Sequence, residues 1–353
     1  MSDHHSHLWP GVPLALGSAI LFGASAPLSK LLMGSIDPWL LAGILYLGAG
    51  TGLAAVHWGR PLIGLPSVEA QLQPQDMPWL AAVIAFGGML GPLFLMLGLS
   101  QTSAASGSLL LNLEGLATMV IAWLIFRENV DRRLLIGAGA ILAGAMLLSW
   151  SGQALRLDTG GLFIAAACLC WGIDNNLTRK LSSADPVQIA MIKGLVAGCT
   201  NFILALSLGA ALPSIGLIGA GAVVGFLGIG VSLVMFMLGL RHLGAARTGA
   251  YFSLAPFIGA LLAVIIFRDA ITVQIVSAGL LMGLGLWLHL SERHDHDHAH
   301  EAVEHDHAHT HDDHHRHTHD GPVSEPHSHW HRHEPMRHTH SHYPDLHHRH
   351  GHG

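Results

Sequence analysis

Leu95-Met96-Leu97-Gly98-Leu99, followed by Ala104-Ala105 and then by Ile125-Phe126-Arg127-Glu128, recurs 141 residues later as Phe236-Met237-Leu238-Gly239-Leu240, Ala245-Ala246 and Ile266-Phe267-Arg268-Asp269. A second echo opens each half of the chain. Phe22-Gly23 with Leu28-Ser29-Lys30 returns 149 residues later as Trp171-Gly172 with Leu177-Thr178-Arg179. Self-similarity at a fixed long spacing predicts two copies of one structural unit.

Apolar runs around these echoes set the class. About 20 residues at 1.5 Å rise cross a hydrocarbon core of ~30 Å. Runs of this kind predict spans at 12–33, 38–58, 78–99, 104–126, 133–151, 160–181, 186–208, 215–240, 245–267 and 272–290. Backbone groups in lipid need partners within their own segment, so these spans are expected to be helices. Each copy holds five. An odd number sends the second copy into the membrane from the opposite side, and the expected fold is an all-α bundle of ten transmembrane helices in two inverted five-helix repeats. Inverted repeats place a substrate site near the midplane at their interface.

Bulk composition agrees. Of 353 residues, 51% are hydrophobic and 11% are charged, against roughly a quarter charged in soluble domains. The charge is unevenly spread, so the chain divides into a short His-containing N-terminus (1–11), repeats at 12–151 and 160–290, and a tail (291–353). The tail carries 23 of the 29 histidines with 12 Asp/Glu and 5 Lys/Arg, which assigns it −7 of the net −6 and leaves the rest of the chain at +1. Cys168, Cys170 and Cys199 fall within spans and are expected to be buried free thiols. Ala24-Ser25-Ala26 imitates a signal-peptidase site, but no Lys or Arg precedes it and Pro27 follows, so a retained first helix is expected. Arg60, Arg127, Arg132, Arg133, Arg179, Lys180, Arg241, Arg247 and Arg293 gather on one side and only Arg156 and Arg268 on the other. The positive-inside rule then places both termini in the cytoplasm of a multi-pass protein of the inner (plasma) membrane.

In these residues the chain resembles the drug/metabolite transporter superfamily, and within it permeases built from two EamA-type units. Gly23 and Gly172 stand near the middle of each unit's first helix. The fourth-helix pattern of small residues, apolar run and closing acid reads Ala104-Ala105 to Phe126-Arg127-Glu128 and Ala245-Ala246 to Phe267-Arg268-Asp269. The resemblance covers 12–290 and implies a secondary transporter, not an enzyme, whose substrates are small metabolites or drugs. It departs at one place: the family's fourth-helix proline is present as Pro256 but is Gly115 in the first unit, where Glu114 puts an acid in a generally apolar position.

Ionisable groups at membrane depth cost at least ~2.5 kcal/mol each and are functional candidates by default. Lys30, Glu114, Asp174 and Lys193 qualify, with Asn112, Asn175, Asn176 and Asn201 near them. Asp174 and Lys193 flank the turn at Asp185-Pro186 and are expected at similar depth, either as an ion pair joining two helices or as substrate ligands. Glu114 is expected to carry a proton or substrate, or else to pair with Lys30. Pro27, Pro92 and Pro256 are hinge candidates. Gly48/Gly52, Gly87/Gly91, Gly221/Gly225 and Gly279/Gly283 are small-xxx-small pairs expected to bring helices close. His57, His242 and His289 are expected at the cytoplasmic helix ends.

The tail is low-complexity and expected to be disordered. His294, His296, His298 and His300, then His305, His307, His309 and His311, then His314, His315, His317 and His319 form its densest part. Alternating imidazoles chelate a divalent ion such as Zn²⁺, Ni²⁺ or Co²⁺. Protonating them near pH ~6.5 would swing the tail's charge, so pH sensing is a rival role. No cofactor is required and no GxxxxGK[ST] is present, which removes ATP as the expected energy source. The expected partners are the bilayer, a small solute or ion, and divalent metal, with no nucleic acid. Proton-coupled export of a metabolite or drug-like solute is the first reading. Export of a divalent transition metal fed by the tail is the alternative, and a membrane-tethered metal or pH sensor a third.

Overall fold

The computed structural model describes residues 10–62, 72–126, 132–148, 158–178, 181, 184–290, 295–299, 303–309, 327–333 and 337–341. The first repeat consists of α1 (Gly11–Leu32), α2 (Pro38–Leu62), a third span and a fourth span that are each built from pieces, and α7 (Arg132–Leu148). The third span joins α3 (Met77–Val83), a π-helical segment (Ile84–Leu90) and α4 (Gly91–Gln101); the fourth joins α5 (Ala104–Leu110) and α6 (Leu113–Phe126). The second repeat follows with α8 (Thr159–Thr178), α9 (Pro186–Ser207), α10 (Ile215–Gly225), a second π segment (Phe226–Val231), α11 (Ser232–Phe252), α12 (Ala255–Phe267) and α13 (Val273–Leu290). The body is an all-α bundle of ten transmembrane helices in two inverted five-helix repeats. Six spans are long and apolar enough to cross a membrane by length and composition alone, while α12 and the apolar parts of α7 and α13 are shorter.

Local chemistry repeats with the fold. Asp37 opens α2 by accepting from the N–H of Trp39 at 2.9 Å and Leu40 at 3.1 Å, with Pro38 in the first turn. Asp185 opens α9 by accepting from Val187 N–H at 2.8 Å, with Pro186 in the first turn. Both use a carboxylate on orphan N–H groups and a proline where no N–H is needed.

Contacts between the repeats obey a pseudo-two-fold axis. In the crossing of α2 and α9, Gly50 lies on Gly194, and Gly198 lies on Tyr46 and Leu47; side chains at these glycines would meet backbone. Shifting each position by 148 residues, the spacing of Asp37 and Asp185, converts one contact into the other. The last helices behave alike: Gly144 of α7 lies on Ala278 and Met282 of α13, and Gly285 lies on Gly137 and Ile141. Lipid gives no hydrophobic drive for helices to associate, so close backbone approach supplies the attraction through dispersion. Large apolar side chains instead face outward, as at Ile215, Val273, Leu280 and Ile125.

Three expectations need correcting. The ninth span does not start at 245: α11 continues to Phe252, and the interruption falls at Ser253–Leu254. In the first repeat Ser103 accepts from Ser106 N–H at 3.2 Å and starts α5, whereas its counterpart Gly244 has no side chain to do so. Pro256 is not an interior kink, because it lies in the first turn of α12 where its missing N–H breaks no bond. Pro92, by contrast, lies within the unbroken helical run of the third span, directly after the π segment, and Pro27 lies inside α1, so these two remain interior prolines. Within the tail, β1 (Asp295–Ala299) pairs antiparallel with β4 (Arg337–Ser341), and β2 (Val303–His309) with β3 (His327–His333). The two-residue alternation of histidine is also the period of a strand.

Candidate functional site

The site is built on the π segment of the third span. A π turn leaves carbonyls without their usual helical partners, and three other helices supply donors. Gly87 O accepts from Tyr46 Oη at 2.8 Å and from Trp171 Nε1 at 3.1 Å, and Met89 O accepts from Asn201 Nδ2 at 3.3 Å. The bulge is thereby fixed from α2, α8 and α9.

Over Gly87 sits the ion pair. Lys193 Nζ lies 2.5 Å from Asp174 Oδ2, both buried, and Thr178 Oγ1 donates to Asp174 Oδ1 at 3.2 Å. A Cβ on Gly87 would lie 2.6 Å from Lys193 Nζ and would collide with the Asp174 carboxylate. Pairing lowers the cost of burying either charge.

Glu114 stands in the first turn of α6, just past the interruption at Leu111–Asn112. Asn175 donates through Nδ2 to Glu114 Oε1 at 3.0 Å and is within 3.2 Å of Thr118 Oγ1. Thr118 Oγ1 donates to Glu114 O at 2.9 Å. Asn176 Nδ2 donates to Gly172 O at 2.8 Å and Thr118 O at 3.1 Å, and among the described residues its buried Oδ1 has no partner. Gly172 lets α8 lie directly on the backbone of Ala117 and Thr118. The counterpart crossing carries Ala255, Ala26 and Pro27 at the positions of Glu114, Asn175 and Asn176. Gly23 of α1 lies on Ala255, and Gly259 faces the Gly23 carbonyl, which Pro27 leaves free of its helical donor. Phe22 and Trp171, repeat counterparts, meet between the two crossings as an edge-on pair at 6.2 Å.

Glu114, Asp174, Asn175, Asn176 and Lys193 therefore belong to one polar region spanning the repeat interface. Lys30 and Asn112 do not join it. Lys30 Nζ donates to Leu99 O at the far end of α1, so the pairing of Lys30 with Glu114 is not formed. Asn112 Nδ2 donates to Leu109 O at 2.8 Å and closes the helix interruption. His57 Nδ1 lies 4.0 Å from Asp185 Oδ2, and His242 lies within α11. Cys168 and Cys170 are buried free thiols, as expected, whereas Cys199 is exposed. Among the described residues no group of His, Cys, Asp and Glu is arranged to hold a metal ion. His296 and His298 fall in β1 and His305, His307 and His309 in β2, while His294, His300, His311, His314, His315, His317 and His319 lie outside the described residues.

Sequence reasoning passed over Tyr46, Thr118 and Trp171. Thr118 was signalled by its place one helical turn after Glu114. Trp171 was signalled as the counterpart of Phe22 in the second echo. Nothing in the run around Tyr46 marks it as a donor.

Two inverted repeats with broken fourth helices, enclosing buried charge at their interface, define a membrane transport protein. The chain belongs to the EamA-like transporter family, which matches residues 9–150 and 158–291. It is similar to an uncharacterized transporter of Methanothermobacter thermautotrophicus, 28% identical over 294 residues, covering 79% of this chain and 85% of that protein. An uncharacterized transporter of Bacillus subtilis, YyaM, is 24% identical over 283 residues, covering 76% of this chain and 90% of that protein. A solved crystal structure shares the fold at a TM-score of 0.59 and 19% identity, covering 79% of this chain and 95% of the other.

Proposed function

We propose that this transporter exports a small polar or amphipathic metabolite or drug-like solute in exchange for protons, with Glu114 as the coupling carboxylate and both termini in the cytoplasm. One observation carries the reading. Among the described residues, the ammonium within electrostatic reach of Glu114, that of Lys193, is committed to Asp174, and the side chain that holds Glu114 is a neutral amide. A membrane carboxylate without a fixed cation can exchange its proton for a solute as the repeats rock about it. Nearby, the buried Asn176 Oδ1 has no partner among the described residues and would accept from a solute's N–H or O–H only as the repeats part.

Solutes released into the medium by cells carrying the intact protein, Glu114→Gln or no protein identify the cargo and test the role together. Release above background by the intact protein and its loss in Glu114→Gln are expected. Equal release by both proteins removes Glu114 from the coupling step.

A second reading takes the cargo to be a divalent transition metal collected by the tail, and rests on the alternating histidines. Cellular Ni²⁺, Co²⁺ and Zn²⁺ are compared in cells lacking the protein, carrying it whole, or carrying residues 1–293. A metal phenotype lost on truncation supports this reading, and none in any strain leaves solute export standing.

A further inference from the structure

At the membrane face opposite the termini, the ends of four spans meet in one set of polar contacts. Lys30, in the last turn of α1, donates through Nζ to the Leu99 carbonyl near the end of α4. Asp269, two residues past α12, accepts from the Ala105 N–H in the first turn of α5 at 3.2 Å. Asp269 lies within electrostatic reach of Lys30. Between α12 and Asp269 stands Arg268, the one non-glycine residue with positive φ among those described, at 54°. Such a backbone is costly and persists where surrounding contacts hold it. Beneath these polar groups Ala104 and Ala105 pack on Ala263, each 2% exposed or less.

The Asp269–Ala105 bond and the alanine seam tie the first repeat to the second, while the Lys30–Leu99 bond holds α1 to α4 within the first repeat and keeps the Lys30 charge in reach of Asp269. The symmetry-related element is built differently. α4 and α5 are separated at Thr102–Ser103, where the backbone is extended, but the counterparts Leu243 and Gly244 lie inside the uninterrupted α11. One element thus occurs in two forms in one molecule, broken at this face and continuous at the other.

We propose that Lys30 and Asp269 form a latch that holds this face closed. When Asp269 leaves the Ala105 N–H and Lys30 leaves the Leu99 carbonyl, the third and fourth spans of the first repeat become free to join as they do in the second. The Ala104/Ala105 seam then parts from Ala263 and opens a path between the repeats. The proposal rests on the transporter fold and is independent of the cargo and of Glu114.

The test uses the full chain in cells, with Ala105→Cys as a reporter and a membrane-impermeant maleimide applied from each side in turn. The reporter is compared alone and combined with Lys30→Met, Asp269→Asn or Asp269→Glu. Asp37→Asn, which removes a different carboxylate from a helix start, is the control. Losing a charge-assisted hydrogen bond is expected to raise labelling from the latched face about tenfold in the Lys30→Met and Asp269→Asn backgrounds. Asp269→Glu is expected to stay near the starting rate, and Asp37→Asn to leave it unchanged. Labelling that does not respond to either latch substitution overturns the proposal. So does an equal rise in Asp37→Asn, which would mark general loosening. Because labelling needs no substrate, these outcomes stay separate from the fate of the export reading.

Discussion

Asp174 and Lys193 close to 2.5 Å over Gly87, in space that exists because the third span has no side chain there. Removing one partner leaves the other charge buried without compensation, at a cost of about 3–5 kcal/mol. Asp174→Asn and Lys193→Met are each expected to lower the unfolding temperature in detergent and the amount of protein in the membrane. Asp174→Asn with Lys193→Met together is expected to recover much of the loss. If the double variant is as unstable as the worse single one, mutual neutralisation is not what the pair provides.

Ser18 and Ser232 join α1 to the start of α11 by reciprocal bonds. Ser18 Oγ donates to Ser232 O at 2.8 Å, Ser232 Oγ donates to Ser18 O at 3.0 Å, and the two hydroxyls lie 3.2 Å apart. Polar contacts between membrane helices average ~0.6 kcal/mol and reach ~1.7 kcal/mol. Because the two residues act together, Ser18→Ala with Ser232→Ala is expected to cost less than the sum of the single changes. A double-mutant cycle of unfolding in mixed micelles measures the difference, and strict additivity would mean the hydroxyls are not coupled.

Glycines divide by what surrounds them, and alanine substitution should expose the division. A Cβ on Gly194 would lie 2.6 Å from the Gly50 backbone nitrogen, and neither backbone can move without separating α2 from α9. Gly194→Ala is therefore expected to reduce folded protein severely. Gly219 has nothing within 4 Å of its Cβ direction, so Gly219→Ala is expected to be neutral or to stabilise α10 by up to ~1 kcal/mol. Size-exclusion profiles and thermal unfolding of the two variants distinguish these outcomes.

The ten spans and the inverted repeats were legible because apolar length and long-period echoes are one-dimensional signals. The Asp174–Lys193 pair was legible from distance to a common turn. What could not be read was azimuth. Rotation of α6 about its axis turns Glu114 to Asn175, whereas Lys30, in the last turn of α1, lies at the membrane face on the Leu99 carbonyl and at a different depth from Glu114. The interruption at Leu111–Asn112 was also hidden, since it carries no glycine or proline, whereas the one at Ser253–Leu254 was marked by Pro256 in the first turn that follows. Ser253–Leu254 adjoins the crossing where Gly23 lies on Ala255, whereas at Leu111–Asn112 the Asn112 amide turns back to the Leu109 carbonyl and Gly172 meets α6 further along, at Ala117 and Thr118. Asp-Pro at 37–38 and 185–186 was a third echo available from sequence.

The three polar neighbours of Glu114 should separate by function. Asn175 is exposed and its amide serves Glu114 and Thr118, so Asn175→Ala is expected to keep folded yield while slowing transport of the identified solute about tenfold. Thr118 Oγ1 is tied to its own helix through Glu114 O, so Thr118→Ala is expected to have a smaller effect. Asn176 is buried and holds α8 to α6 through Gly172 O and Thr118 O, so Asn176→Ala is expected to lose protein before it loses rate. Initial transport rates normalised to the amount of folded protein give the order directly. If Asn175→Ala transports at the normal rate per folded molecule, the amide does not position Glu114.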